Sequence, residues 1–143
     1  MNEEKYIKER VQNQIDWYSK KSALNKKLHL WFRGLIIVFS ATIPFLTGLI
    51  EDKSKSLTII VGVLGVLIAV LTSLTALMKF QEKWSEYRTT SETLKHEKYL
   101  YETKSGPYDN ERTDNFKSFV VRIENLISKE NSSWSQYINK KEK

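Results

Sequence analysis

The chain has 143 residues, with 23 Lys and Arg against 17 Asp and Glu for a formal charge of +6, which leaves room for one ordinary domain and not for a separate catalytic one. Cysteine is absent, so disulfides and thiolate metal sites are excluded. A basic balance alone suits a nucleic-acid binder or a membrane protein. Its distribution decides: residues 1–33 hold eight basic residues against four acids, residues 79–143 hold thirteen against eleven, and two stretches between them, Gly34 to Ile50 and Leu57 to Met78, carry no charge.

In chain order, residues 3–29 lack Gly and Pro, and Ile7, Val11, Ile15 and Tyr18 recur at helical spacing, which predicts an amphipathic helix. Trp17 and Tyr18, followed by the lysine pairs at Lys20 and Lys26, suit either anionic headgroups or the core of a helical bundle, and the bundle is the expectation. The first apolar run, extended to Leu30, Trp31 and Phe32, reaches bilayer thickness with Arg33 near its end, from where a long side chain snorkels to the headgroups. Pro44 removes one backbone donor there. The second run has thirteen Leu, Ile or Val residues and at about 33 Å matches a hydrocarbon core of about 30 Å. Only residues 51–56 separate the runs, so the two helices are expected to be antiparallel neighbours. Basic residues flank the outer ends of both runs, which predicts both termini on the cytoplasmic side.

Nothing breaks the helical pattern after Met78 until Gly106-Pro107, so the second span is expected to continue unbroken to about Lys104. Phe80, Trp84, Tyr87, Ser91, Leu94, Lys98 and Tyr101 follow steps of four and three, the spacing of a packed helical seam. Ser91 and Lys98 are its two polar positions. A final helix with one apolar face follows, through Phe116, Phe119, Val120, Ile123, Ile127, Trp134 and Tyr137. The boundaries are a cytoplasmic helix over 3–29, transmembrane helices over 30–50 and 57–78, an outer turn over 51–56, a cytoplasmic extension over 79–104 and a C-terminal amphipathic helix over 109–140, within a single unit over 1–143.

Enzymatic signals are missing. His29 and His96 lie far apart, and the sequence has no zincin motif, nucleophile elbow, P-loop or dinucleotide fingerprint. Glu82, Glu86, Glu92 and Glu97 alternate with Lys83, Arg88, Lys95 and Lys98 as on a solvated, salt-bridged helix face. No enzyme activity, catalytic residue, cofactor, metal or nucleic-acid partner is expected. The informative residues of the spans are small: Gly34, Ala41 and Gly48 recur every seven positions, and Gly62, Gly65, Ala69, Thr72 and Ala76 step by three or four, a pattern that lets backbones approach within a hairpin and between subunits. Thr58, Thr72 and Ser73 add hydroxyls, Pro44 a free carbonyl, and Glu51, Asp52 and Lys79 are the charges at the two mouths of any pore.

Arg10, Gln14, Trp17 and Tyr18, the run Phe80-Gln81-Glu82-Lys83-Trp84-Ser85-Glu86-Tyr87-Arg88, and then Glu92, Leu94, Lys95 and Glu97 resemble the motifs of domain-of-unknown-function family 4231 (DUF4231), in the SLATT class of two-transmembrane bacterial proteins. Ile43-Pro44, the break at Tyr101, Gly106 and Tyr108, and Ile123, Glu124, Glu130, Asn131 and Trp134 extend the likeness. Ser91 stands where the family is expected to carry a small apolar residue. The resemblance implies an all-α membrane protein of the cell membrane, a transmembrane hairpin carrying a cytoplasmic helical module. It also implies a role as a homo-oligomeric pore-forming effector, with ions and a regulatory protein from a neighbouring gene as partners beside the lipid bilayer. A membrane-anchored interaction scaffold without transport is the alternative.

Overall fold

In a computed structural model of the chain, described at residues 2–49, 55–109 and 114–139, the fold is all-helical, with no strand among the described residues. A helical run from Glu3 to Gly48 comprises α1 (Glu3–Lys5), a π-helical turn (Tyr6–Val11) and α2 (Gln12–Gly48). It is followed by α3 (Lys55–Met78), α4 (Phe80–Glu102), a 3-10 turn (Gly106–Tyr108) and α5 (Asn115–Asn139). Two compact units result: one contains the residues up to Ser22 and those from Ser85 onward, the other Ala23–Trp84.

The first unit packs three helical segments around one apolar cluster of Tyr6, Val11, Ile15, Tyr18, Tyr87, Leu94, Tyr108, Phe119, Ile123 and Ile127. Side-chain bonds fix their directions. Glu3 accepts from Tyr101, Gln12 from Lys98, and Ser19 bonds to Ser91, so the N-terminal helix runs antiparallel to α4. Arg10 reaches Glu124 and Tyr18 reaches Glu130, so it runs parallel to α5. Burying a phenylalanine-sized side chain contributes about 1.5–3 kcal/mol, and fully buried Phe119, stacked 4.3 Å from Tyr101, lies at the centre of this cluster.

Val11, Ile15 and Tyr18 of the expected N-terminal stripe are buried, but at its start Tyr6 is buried and Ile7 only half-buried against the cluster. The cause is the π-helical turn, whose closure is seen where the Gln12 amide donates to the Ile7 carbonyl. Closing over five residues instead of four puts Tyr6 and Val11 on one face. The aromatic core is corrected too. Trp17 is 46% exposed and Trp84 half-buried, while the Trp134 side chain lies outside the described residues. Tyrosines occupy the core, and Tyr6, Tyr18 and Tyr108 each bury the ring while handing the hydroxyl to a carboxylate at the rim.

In the second unit, half-buried positions on α2 include Leu28, Phe32, Leu35, Phe39, Thr42 and Leu46, flanked by Asn25, His29, Ile36 and Ile43, and on α3 fall at Leu57, Val61, Leu64, Ile68, Leu71 and Thr75. Both sets alternate steps of four and three, the spacing of a coiled-coil seam. Phe32 stacks on Phe80 at 5.6 Å, and the Lys26 ammonium lies 5.5 Å from the Trp84 ring. Pro44 sits inside α2, which continues through it to Gly48.

The run from Leu57 to Lys104 is not one unbroken helix. Lys79 adopts φ 48° and separates α3 from α4. Continuing the α3 steps past Thr75 would give positions 78, 82 and 85, whereas the inward stripe of α4 lies at buried Phe80, half-buried Trp84 and buried Tyr87. That two-residue change of phase is about 200° of helix rotation. One left-handed residue, at a cost of about 1–2 kcal/mol, accommodates it while its neighbours keep the ladder: the Lys79 amide donates to Thr75 and the Lys83 amide to Lys79. At its other end α4 closes with left-handed Lys104 (φ 49°), as the Ser105 amide donates to the Leu100 carbonyl and the Lys104 amide to Tyr101, a Schellman ending.

Candidate functional site

The small residues of the apolar helices all face away from the seam. Gly34, Ala41 and Gly48 on α2 are exposed, as are Gly62, Gly65, Ala69, Thr72 and Ala76 on α3, each of the latter one position beyond a seam residue. A Cβ built at Gly34, Gly48, Gly62 or Gly65 meets nothing within 4 Å. The small residues expected to let backbones approach within a hairpin and between subunits are thus open at their glycines, while the half-buried positions of both helices are mostly Leu, Ile, Val and Phe. Hydroxyl donors turn back onto their own helices, Thr42 to Val38, Thr47 to Pro44, Ser73 to Ala69 and Thr75 to Leu71, at 2.7–2.9 Å. Such bonds satisfy a hydroxyl in an apolar setting without a partner helix. Pro44 and Thr58 are exposed. Lys79 is half-buried and pairs with Glu82 at 3.4 Å. Glu51 and Asp52 lie outside the described residues.

The first unit holds two charged clamps between helices. In one, Arg10 donates from Nε and Nη2 to the two oxygens of Glu124 at 3.1 and 2.9 Å, and the Tyr6 hydroxyl donates to the same carboxylate at 2.9 Å. In the other, Arg122 donates to both oxygens of Glu97, and the buried Tyr108 hydroxyl donates to Glu97 as well. Tyr18 and Tyr101 repeat the phenol-to-carboxylate bond with Glu130 at 2.7 Å and Glu3 at 2.6 Å. Hydrogen bonds from Arg10 hold the Glu124 carboxyl below the usual carboxylate range, against burial and with help from Tyr6. Burial pushes Glu97 up, but Arg122 and Tyr108 together outweigh it and hold that carboxyl low. Burial, reinforced by the carboxylate each one bonds, pushes the phenols of Tyr6, Tyr18 and Tyr108 up, and that of Tyr101 to about 12.

Among the residues singled out from sequence, the structure brings together Arg10, Tyr18, Tyr87, Leu94 and Glu97 in or around this cluster. Phe80 is buried in the second unit, and Gln14 is half-buried. Arg88 and Glu92 are exposed, the latter paired with Lys95 at 3.1 Å. Ser91, the doubtful position of the stripe, is 2% exposed, and its hydroxyl bonds to that of Ser19 at 2.7 Å. A small side chain is needed there because two helices approach closely. Sequence reasoning missed Tyr6 and Arg122, partners of residues more than twenty positions away; the pairing of Tyr6 with Arg10 one turn on was the only local signal. The Nδ1 of His29 is buried without a hydrogen-bond partner. Among the described residues no group of three or more His, Asp or Glu is placed to hold a metal.

An all-α chain with two helices long and apolar enough to cross a membrane, joined to a polar helical unit held by carboxylate clamps, defines the class. The chain belongs to the family described as "Protein of unknown function (DUF4231)", whose model matches residues 13–115. That span covers most of α2, all of α3 and α4 and the 3-10 turn; Tyr6, Arg10, Arg122 and Glu124 lie beyond it. No curated protein and no solved structure matches the chain.

Proposed function

We propose that this protein is a non-enzymatic membrane effector of the SLATT kind, in which two-helix transmembrane hairpins assemble into a homo-oligomeric pore gated through a cytoplasmic helical module. The observation that carries the reading is the outward-facing stripe of Gly62, Gly65, Ala69, Thr72 and Ala76. Small residues favour close helix contact in lipid, and within one chain this stripe touches nothing at its glycines, so a neighbouring subunit is its fitting partner. Apart from Arg33 near the polar end of the first, no charge lies within either span. The constriction would therefore be apolar, gating by dewetting, with any selectivity set at the mouths by Glu51, Asp52 or Lys79. The change of phase at Lys79 lets movement of the polar helices turn the second span.

The scaffold reading draws on the four hydroxyls bonded to their own helices, since these donors are spent without a water path. Reconstitution separates the two. Under the pore reading, planar bilayers conduct, crosslinking in nanodiscs yields a closed oligomer, and Gly65→Leu alters both while leaving the isolated chain folded. Silent bilayers together with a strictly monomeric protein overturn it in favour of the scaffold.

A further inference from the structure

The polar end of the second unit carries an unbalanced charge. Lys26, Lys27 and Arg33 on α2, with Lys79 and Lys83 beyond α3, face one acid, Glu82. The short segment 51–56 at the opposite end of the apolar runs has two basic residues and two acids, which cancel. The contacts between Phe32 and Phe80 and between Lys26 and Trp84 set the level of one strand of charge against the other: Arg33 stands near the height of Lys79, and Lys27 near that of Lys83. From Lys26 to Arg33 is about 10 Å along the helix. A headgroup layer is about 5–8 Å deep on each side of the hydrocarbon core, and the screening length beyond it is about 8 Å. Every charge of this collar thus falls within reach of lipid phosphates once the apolar helices are in a bilayer. Trp31, 64% exposed, sits between Lys27 and Arg33 in sequence, with the amphipathic ring that favours the same layer.

We infer that this collar is a binding surface for anionic phospholipid headgroups, selecting them over zwitterionic ones. The inference rests on the membrane-spanning reading above. Lys27 and Arg33, both exposed, are the residues to change, because Lys26 also covers the Trp84 ring and Lys79 also shapes the backbone.

The test uses the full chain reconstituted into vesicles of phosphatidylcholine with and without phosphatidylglycerol, then extracted gently, with the retained lipids counted by native mass spectrometry. The expected result is flotation with both vesicles and retained phosphatidylglycerol in excess of its bulk share. That excess should shrink with added salt and fall by about fivefold for each charge removed in K27Q and R33Q. Flotation with equal retention of both lipids, or K27Q/R33Q retaining as much as wild type, overturns the lipid surface and leaves the spanning hairpin standing. Failure to float with either vesicle overturns both. Displacement of phosphatidylglycerol by inorganic phosphate, beyond the effect of matched ionic strength, marks a free-anion site and also overturns the assignment.

Discussion

Replacing Glu97 by Ala tests how the polar unit is held together. The Glu97 side chain is 7% exposed and accepts from Tyr108 and Arg122. Its loss leaves the hydroxyl of Tyr108, a residue 1% exposed, buried without that acceptor, a cost of about 1–3 kcal/mol. Arg122 is 49% exposed on its side chain and returns to water, so its share is about 0.2–1 kcal/mol. E97A should therefore destabilise the unit by about 1–4 kcal/mol, mostly through the phenol. Urea titration of the full chain in mild detergent, followed by far-UV and near-UV circular dichroism, reads this directly. Adding Tyr108→Phe to E97A should recover most of the loss, and adding Arg122→Ala should recover little. An E97A protein as stable as wild type, or recovery through Arg122 instead of Tyr108, refutes the reasoning.

Phe119→Ala should cost about 3–5 kcal/mol, since Phe119 is fully buried, while half-buried Trp84 should lose clearly less on the same truncation; a urea series ranks them, and the reverse order would move the core. Lys79→Gly should raise stability by about 1 kcal/mol by relieving its left-handed backbone, whereas Lys79→Val should lower it, both visible as shifts in thermal midpoint. The urea midpoint should also be flat across neutral pH and fall at both extremes. Glu97 and Glu124 are held low, so their contribution is complete above the ordinary carboxylate pKa of about 4.3 and is lost as pH drops through their depressed values. The four raised phenols contribute fully below about 10 and lose that contribution as pH rises through their higher values, about 12 for Tyr101. Acid insensitivity in E97A/E124A is the control.

The apolar helices are legible because a charge-free run of bilayer length has few other uses, and the stripe from Phe80 to Tyr101 because heptad spacing survives two polar positions. Both changes of phase escape such reading. The π-helical turn that buries Tyr6 in place of Ile7 and the left-handed Lys79 contain neither Gly nor Pro, so no local residue announces them. They arise from the need to align stripes already fixed on either side. The clamps are illegible for another reason: Arg10 and Glu124 each look like an ordinary surface charge until three helices bring them to 2.9 Å. Among the tryptophans, size suggested core, but the phenols won because buried rings here end on carboxylates.

The proposed function requires both apolar helices to cross a bilayer as a hairpin, with both termini on the cytoplasmic side. Because the chain has no cysteine, single substitutions Lys5→Cys, Ser54→Cys and Lys140→Cys report each segment separately to a membrane-impermeant maleimide applied to intact cells. Labelling of the Ser54→Cys protein at once, and of the other two only after permeabilisation, is the expected result; labelling of Lys5→Cys or Lys140→Cys in intact cells while Ser54→Cys stays protected would contradict it.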